Sequence, residues 1–135
     1  MTSPTVAQAQ LGHVAPLFIV RDVVRSIAFY RDRLGFEVTY LGPDDDPYFA
    51  MVQRGGAWLM LKAITPEVQP MPNPSRHPWA KWDAYVYTPD PDALVEEFAS
   101  RGVSFRDPLG VNSDKLRGFE VMDADGYVLY FGRPA

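Results

Sequence analysis

The chain has 135 residues, enough for one domain with a single core. Its formal net charge of -4, its sequence pI of about 5.0 and the lack of a basic stripe argue against a nucleic-acid partner. No apolar run approaches the roughly 18–20 residues that cross a bilayer, so no membrane partner is expected. Met1–Gly12 lacks the basic and apolar regions of a secretory signal and is expected to be a flexible tail. The absence of cysteine removes disulfides, thiolate metal sites and a Cys nucleophile, and fits a cytoplasmic location.

The chain order of elements is written twice. Pro16–Val20 is an apolar, β-prone run. Asp22 is suited to accept first-turn N–H groups as a helix N-cap. Val23, Ile27, Tyr30 and Leu34 then recur at helical spacing, and Gly35 stands where a left-handed residue would end the helix. Phe36–Tyr40 reads as a strand and Pro43–Pro47 as a turn. Tyr48–Gln53 and Ala57–Lys62 read as a hairpin across Arg54-Gly55-Gly56. In the second half, Trp82–Thr88 is a strand and Asp90 a cap, with Pro91 at the first helical position. Leu94, Val95, Phe98 and Ala99 form an apolar helix face, and Gly102 stops it. Val103–Phe105 is a short strand. Gly118–Met122 and Tyr127–Phe131 pair through Asp123-Ala124-Asp125-Gly126. From Gly35 to Gly102 is 67 residues and from Gly56 to Gly126 is 70, so the landmarks keep register and imply a duplication.

Between the halves, Ala63–Ala80 carries Pro66, Pro70, Pro72, Pro74 and Pro78. That density forbids a helix or a central strand and predicts a crossing linker or a functional loop. The organisation is therefore one domain over 13–135: a first βαβββ module (13–62), the linker (63–80) and a second module (81–133).

Two βαβββ units, with Val20-Arg21-Asp22, Ser26-Ile27-Ala28-Phe29-Tyr30, Leu34-Gly35-Phe36 and Asp123-Ala124-Asp125-Gly126-Tyr127, resemble the glyoxalase / bleomycin-resistance / extradiol-dioxygenase superfamily (the vicinal oxygen chelate fold) over about Val14 to Arg133. The resemblance implies an α+β fold: two βαβββ modules forming a curved mixed sheet around a pocket, with the helices outside. It also implies a homodimer, and leaves open whether the modules pair within one chain or between two. Metal-dependent members carry His, Glu, His and Glu at four strand positions, which align here with Ala15, Met60, Asp83 and Tyr130. Such a set lacks the oxygen and imidazole donors that divalent ions need, so neither metal nor cofactor is expected. His13 and His77 are the only histidines that could restore a site.

If those four positions face the pocket, strand alternation adds Leu17, Ile19, Trp58, Lys62, Tyr85, Tyr87, Val128 and Gly132 to the same side. The opposite set is Phe18, Val20, Leu59, Leu61, Ala84, Val86, Leu129 and Phe131. It is apolar throughout and suits a face under helices. The expected ligand-binding residues are Trp58, Met60, Lys62, Asp83, Tyr85, Tyr87 and Tyr130, with Arg117 at the rim. Aromatic and Met side chains favour a flat organic ligand, and Asp83 offers an anionic anchor for a cationic one. Trp79 and Trp82 flank the linker and could wall the pocket or a subunit interface.

These readings favour metal-independent binding of a small organic ligand, as in sequestration of a drug-like compound for antibiotic resistance or a carrier role. No catalytic residue is assigned. The alternatives are a glyoxalase/lyase- or dioxygenase-like enzyme using His13, His77 and Asp83 in a non-standard site, and a non-catalytic interaction domain.

Overall fold

The computed structural model describes residues 5–135. The expected tail lies partly outside this range, and residues 5–16 contain no helix or strand. Each half builds one four-stranded mixed sheet crossed by one helix. The first contains β1 (Leu17–Ile19), α1 (Val23–Ala28, continued by a π-helical turn over Phe29–Arg33), β2 (Glu37–Gly42), β3 (Phe49–Arg54) and β4 (Ala57–Lys62), in sheet order β1-β4-β3-β2. After the linker come β5 (Ala84–Tyr87), α3 (Pro91–Ser100), β6 (Phe105–Val111), β7 (Leu116–Met122) and β8 (Val128–Pro134), in order β5-β8-β7-β6. Within each sheet the first strand pairs parallel to the last, because the helix supplies the crossover.

The duplication is exact in register at the centre of each sheet. Leu17 faces Met60 as Tyr85 faces Tyr130, offsets of 85 − 17 = 68 and 130 − 60 = 70. Asp22 and Asp90 cap the helices, accepting from the N–H of Arg25 at 3.2 Å and of Ala93 at 3.0 Å. Gly35 and Gly102 end them at φ +71° and +79°, conformations that a Cβ would strain. Cap to stop spans 13 residues in the first helix and 12 in the second. The additional residue is accommodated by the π turn.

Two expectations fail. The Pro-rich linker does contain a helix, α2 (Asn73–Arg76), because Pro74 lies in its first turn, where a missing N–H breaks no bond. β6 is seven residues long rather than three and includes Pro108. As an edge strand it needs only one row of ladder bonds, and its register shifts between Phe105 and Gly110 accommodate the proline.

Six of the eight expected helix-side residues, Phe18, Val20, Leu59, Leu61, Leu129 and Phe131, are at most 5% exposed, while Ala84 and Val86 are only partly buried. α1 and α3 each cover their own sheet, and the two halves share one core. At one seam Phe18 stacks on Tyr127 (centroids 4.3 Å apart, planes within 8°) and the Tyr30 hydroxyl donates to Asp123 Oδ2 at 2.6 Å. Arg54 spans the other seam, making 2.8 and 2.7 Å bonds to the two oxygens of Glu97.

Candidate functional site

The second seam contains a cavity of about 660 Å³. Its walls come from the start of β4, the length of β5 and the inner face of α3, with Phe36, Leu59, Val86, Leu94, Phe98 and Phe131 supplying apolar surface. Three predicted site residues line it: Trp58, Tyr85 and Tyr87. A concave, largely apolar space of this size is typical of small-molecule sites. Arg54 is its cationic group, already matched by Glu97 and lying 5.8 Å from the centre of the Phe98 ring. The Trp58 indole N–H is buried without a hydrogen-bond partner among the described residues.

Tyr85 also begins an aromatic ladder on the face of the second sheet that points away from α3. Its ring stacks on Tyr130 (5.7 Å, 12°), which in turn lies against Trp82 (4.7 Å, 33°). Register makes Tyr85 and Tyr130 direct neighbours on β5 and β8. The Tyr130 ring lies flat because Gly118 and Gly132, paired beside it, have no side chains: a Cβ on Gly118 would come within 2.6 Å of its hydroxyl. Tyr130 is 1% exposed and its hydroxyl has no partner among the described residues. Burial raises its phenol pKa above the usual value, and Tyr85, Asp107 and Glu120 act in the same direction, so the ring stays neutral near pH 7.

Of the other predicted residues, Met60 and Lys62 lie on the corresponding face of the first sheet, in register with Leu17 and Ile19. Asp83 does not present a free carboxylate. Its Oδ1 accepts from the Asn73 N–H at 2.6 Å and its Oδ2 from the Val128 N–H at 2.8 Å, which ties the linker helix to the start of β8. Arg117 makes 2.9 and 2.6 Å bonds to Asp92 on α3. His13 stacks on Trp58, and His77 Nδ1 accepts from the Trp79 N–H at 3.1 Å. Trp79 is 84% exposed.

The four positions that the resemblance aligns with metal ligands hold a methyl group, a thioether, a carboxylate spent on two backbone amides and a buried neutral phenol. Among the described residues no three His, Cys, Asp or Glu side chains converge on a point where an ion could be held. These donors do not fit a divalent ion. Sequence reasoning missed Arg54, Ala57 and Phe98 as cavity residues; only Ala57 carried a signal, its small size opposite Tyr127 in the duplicated order.

None of the curated proteins matches the chain. Among solved structures it is similar to the bleomycin-binding protein of bleomycin-producing Streptomyces verticillus, complexed with copper(II)-bleomycin, at 27% identity and a TM-score of 0.68, covering 95% of this chain and 100% of that one. It is similar in fold to TioX from Micromonospora sp. ML1 (19% identity, TM-score 0.70, 92% and 99% covered). It shares that fold with TnmS3, an antibiotic binding protein from Streptomyces sp. CB03234 (24% identity, TM-score 0.65, 95% and 100% covered). With residues 10–131 matching the family model, the duplicated chain belongs to the Glyoxalase/Bleomycin resistance protein/Dioxygenase superfamily.

Proposed function

We propose that this protein binds a small organic ligand with an aromatic part, without a metal ion and without making or breaking a bond. The observation that carries the reading is the aromatic lining of the cavity, Trp58, Tyr85 and Tyr87, with Tyr85 backed by the buried Tyr130 ring and Trp82, in a chain whose positions aligned with the family's metal ligands lack donors. The bleomycin-binding and antibiotic-binding neighbours support a sequestering or carrier role. Tyr87 (63% exposed), Tyr40 and Leu17 leave apolar surface on the faces away from the helices, which a second copy of the chain would cover in a homodimer.

The test is titration of the protein with a panel of planar and cationic aromatic compounds, read by quenching of its three tryptophans and by thermal shift. Tyr85→Ala removes the side chain shared by ladder and cavity. A stacked ring contributes about 1 kcal/mol, so an affinity loss of roughly five- to tenfold is expected. A panel that produces neither quenching nor thermal shift refutes the reading. So does stoichiometric metal in protein purified without chelator.

A further inference from the structure

The two seams are built from equivalent positions, and only one of them is filled. Tyr127 corresponds to Ala57 with the offset that relates Tyr130 to Met60 (127 − 57 = 70), and Phe18 corresponds to Val86 with the offset that relates Leu17 to Tyr85 (86 − 18 = 68). In the filled seam the rings of Phe18 and Tyr127 stack. The Tyr127 hydroxyl donates to the Ile19 carbonyl at 2.7 Å and accepts from the Met71 N–H at 3.4 Å. In the other seam a methyl and an isopropyl group stand in those places, and the cavity lies there.

The surrounding walls are complete. Pairing of Val121 with Leu129 and of Val52 with Leu59 relates β7 to β3 by 121 − 52 = 69, so Asp123 corresponds to Arg54. Tyr30 corresponds to Phe98 by the helix-cap offset of 68, and both are 0% exposed. The hydroxyl–carboxylate contact of one seam is thus a guanidinium over a ring in the other. What the open seam lacks is a phenol ring and much of a phenyl ring. Arg54 is neutralised by Glu97, so the space favours a neutral occupant. Trp58 lines the space with its ring, while its N–H is buried away from the open volume.

We propose that this cavity is a binding site for a neutral planar aromatic group of one or two rings, which occupies the place held by Tyr127 and Phe18 in the opposite seam. This rests on the ligand-binding reading above and adds the chemistry of what is bound.

The probes are p-cresol and toluene, which share shape and differ in the hydroxyl. They are titrated into the full chain with ligand-observed NMR and thermal melting. Both are expected to bind saturably and raise the melting temperature with similar affinity, since burial of the ring carries the binding. Ala57→Tyr rebuilds the plug from β4 and Val86→Phe from β5. Either should abolish binding of both probes and raise the melting temperature, and having two routes guards against one variant misfolding. Probe binding that survives both filling variants overturns the proposal. So does binding that appears only after residues 1–12 are deleted, since the chain's own tail would then be the occupant. If p-cresol and toluene fail while larger aromatic compounds still quench tryptophan, this inference falls and ligand binding on the ladder stands. If both fail, both readings fall.

Discussion

Replacing Asp123 by Asn should change how stability depends on pH. The carboxylate is 6% exposed and joins the halves: Oδ2 accepts from the Tyr30 hydroxyl at 2.6 Å, and Oδ1 accepts from the N–H groups of Asp125 and Tyr127, both at 2.9 Å. Burial raises its pKa from 3.8 to about 6; those three hydrogen bonds pull it down and Asp125 pushes it further up, but desolvation prevails. A carboxyl whose folded-state pKa exceeds its unfolded value binds its proton more tightly when folded. Its stabilising contribution is therefore full below about pH 3.8, is lost as the pH rises to about 6, and stays lost above that. Two pKa units at 1.36 kcal/mol each give a difference on the order of 3 kcal/mol. Asn has nearly the same shape, can keep one oxygen on the two backbone donors, and does not ionise. Urea unfolding of both proteins between pH 3.5 and 7.5 isolates the effect, because every other titrating group appears in both curves. The curves should meet near pH 4, and the variant should be the more stable by about 3 kcal/mol at pH 7. Parallel curves across that range would refute the argument.

Gly118→Ala should cost about 3 kcal/mol in urea unfolding and change the near-UV signal of Tyr130, since the new Cβ would lie 2.2 Å from the Phe131 carbonyl oxygen and 2.6 Å from the Tyr130 hydroxyl. Arg54→Ala should cost about 1–2 kcal/mol in thermal melting, because it removes the forked pair with Glu97 and a 2.9 Å bond to the Leu34 carbonyl from a partly exposed site. In the same variant the Glu97 carboxyl, held below the usual carboxylate range chiefly by the Arg54 hydrogen bond, should titrate higher; NMR titration of its side-chain carboxyl measures this.

The features legible in the sequence are those with local causes. Asp22 and Asp90 cap, Gly35 and Gly102 stop, and alternation assigns Phe18, Leu59, Leu61 and Leu129 to the buried side because side-chain direction in a strand depends only on parity. Where a side chain finds a distant partner is not written locally. Alignment with a ligand position of the family gave Asp83 the appearance of a ligand anchor, but its two acceptor bonds go to amides 10 residues before it and 45 residues after it. Arg117 precedes Gly118, which faces Gly132 beside Tyr130, so the arginine turns to the helix side and meets Asp92. The cavity was hidden for another reason: it is a missing ring, marked in the sequence only by Ala57 standing where the second half has Tyr127. The linker helix and the length of β6 escaped because Pro is tolerated in a first helical turn and on an edge strand, and neither location is known before the fold.

The π turn at Phe29–Arg33 bears on how such a duplicated chain can change length. The two helices differ by one residue between cap and stop, yet Tyr30 and Phe98 both end fully buried at equivalent points of the core. Widening one turn lets the surplus residue loop outward, so the inserted length is cancelled before the chain reaches Gly35 and every strand after it keeps its partner. Removing one residue from Arg31–Arg33 should therefore leave the sheets unchanged and convert that turn to plain α-helix, whereas a one-residue deletion inside β4 would turn its buried row of side chains outward. The helix is one place, beside the loops that follow it, where this architecture can gain or lose a residue and still close.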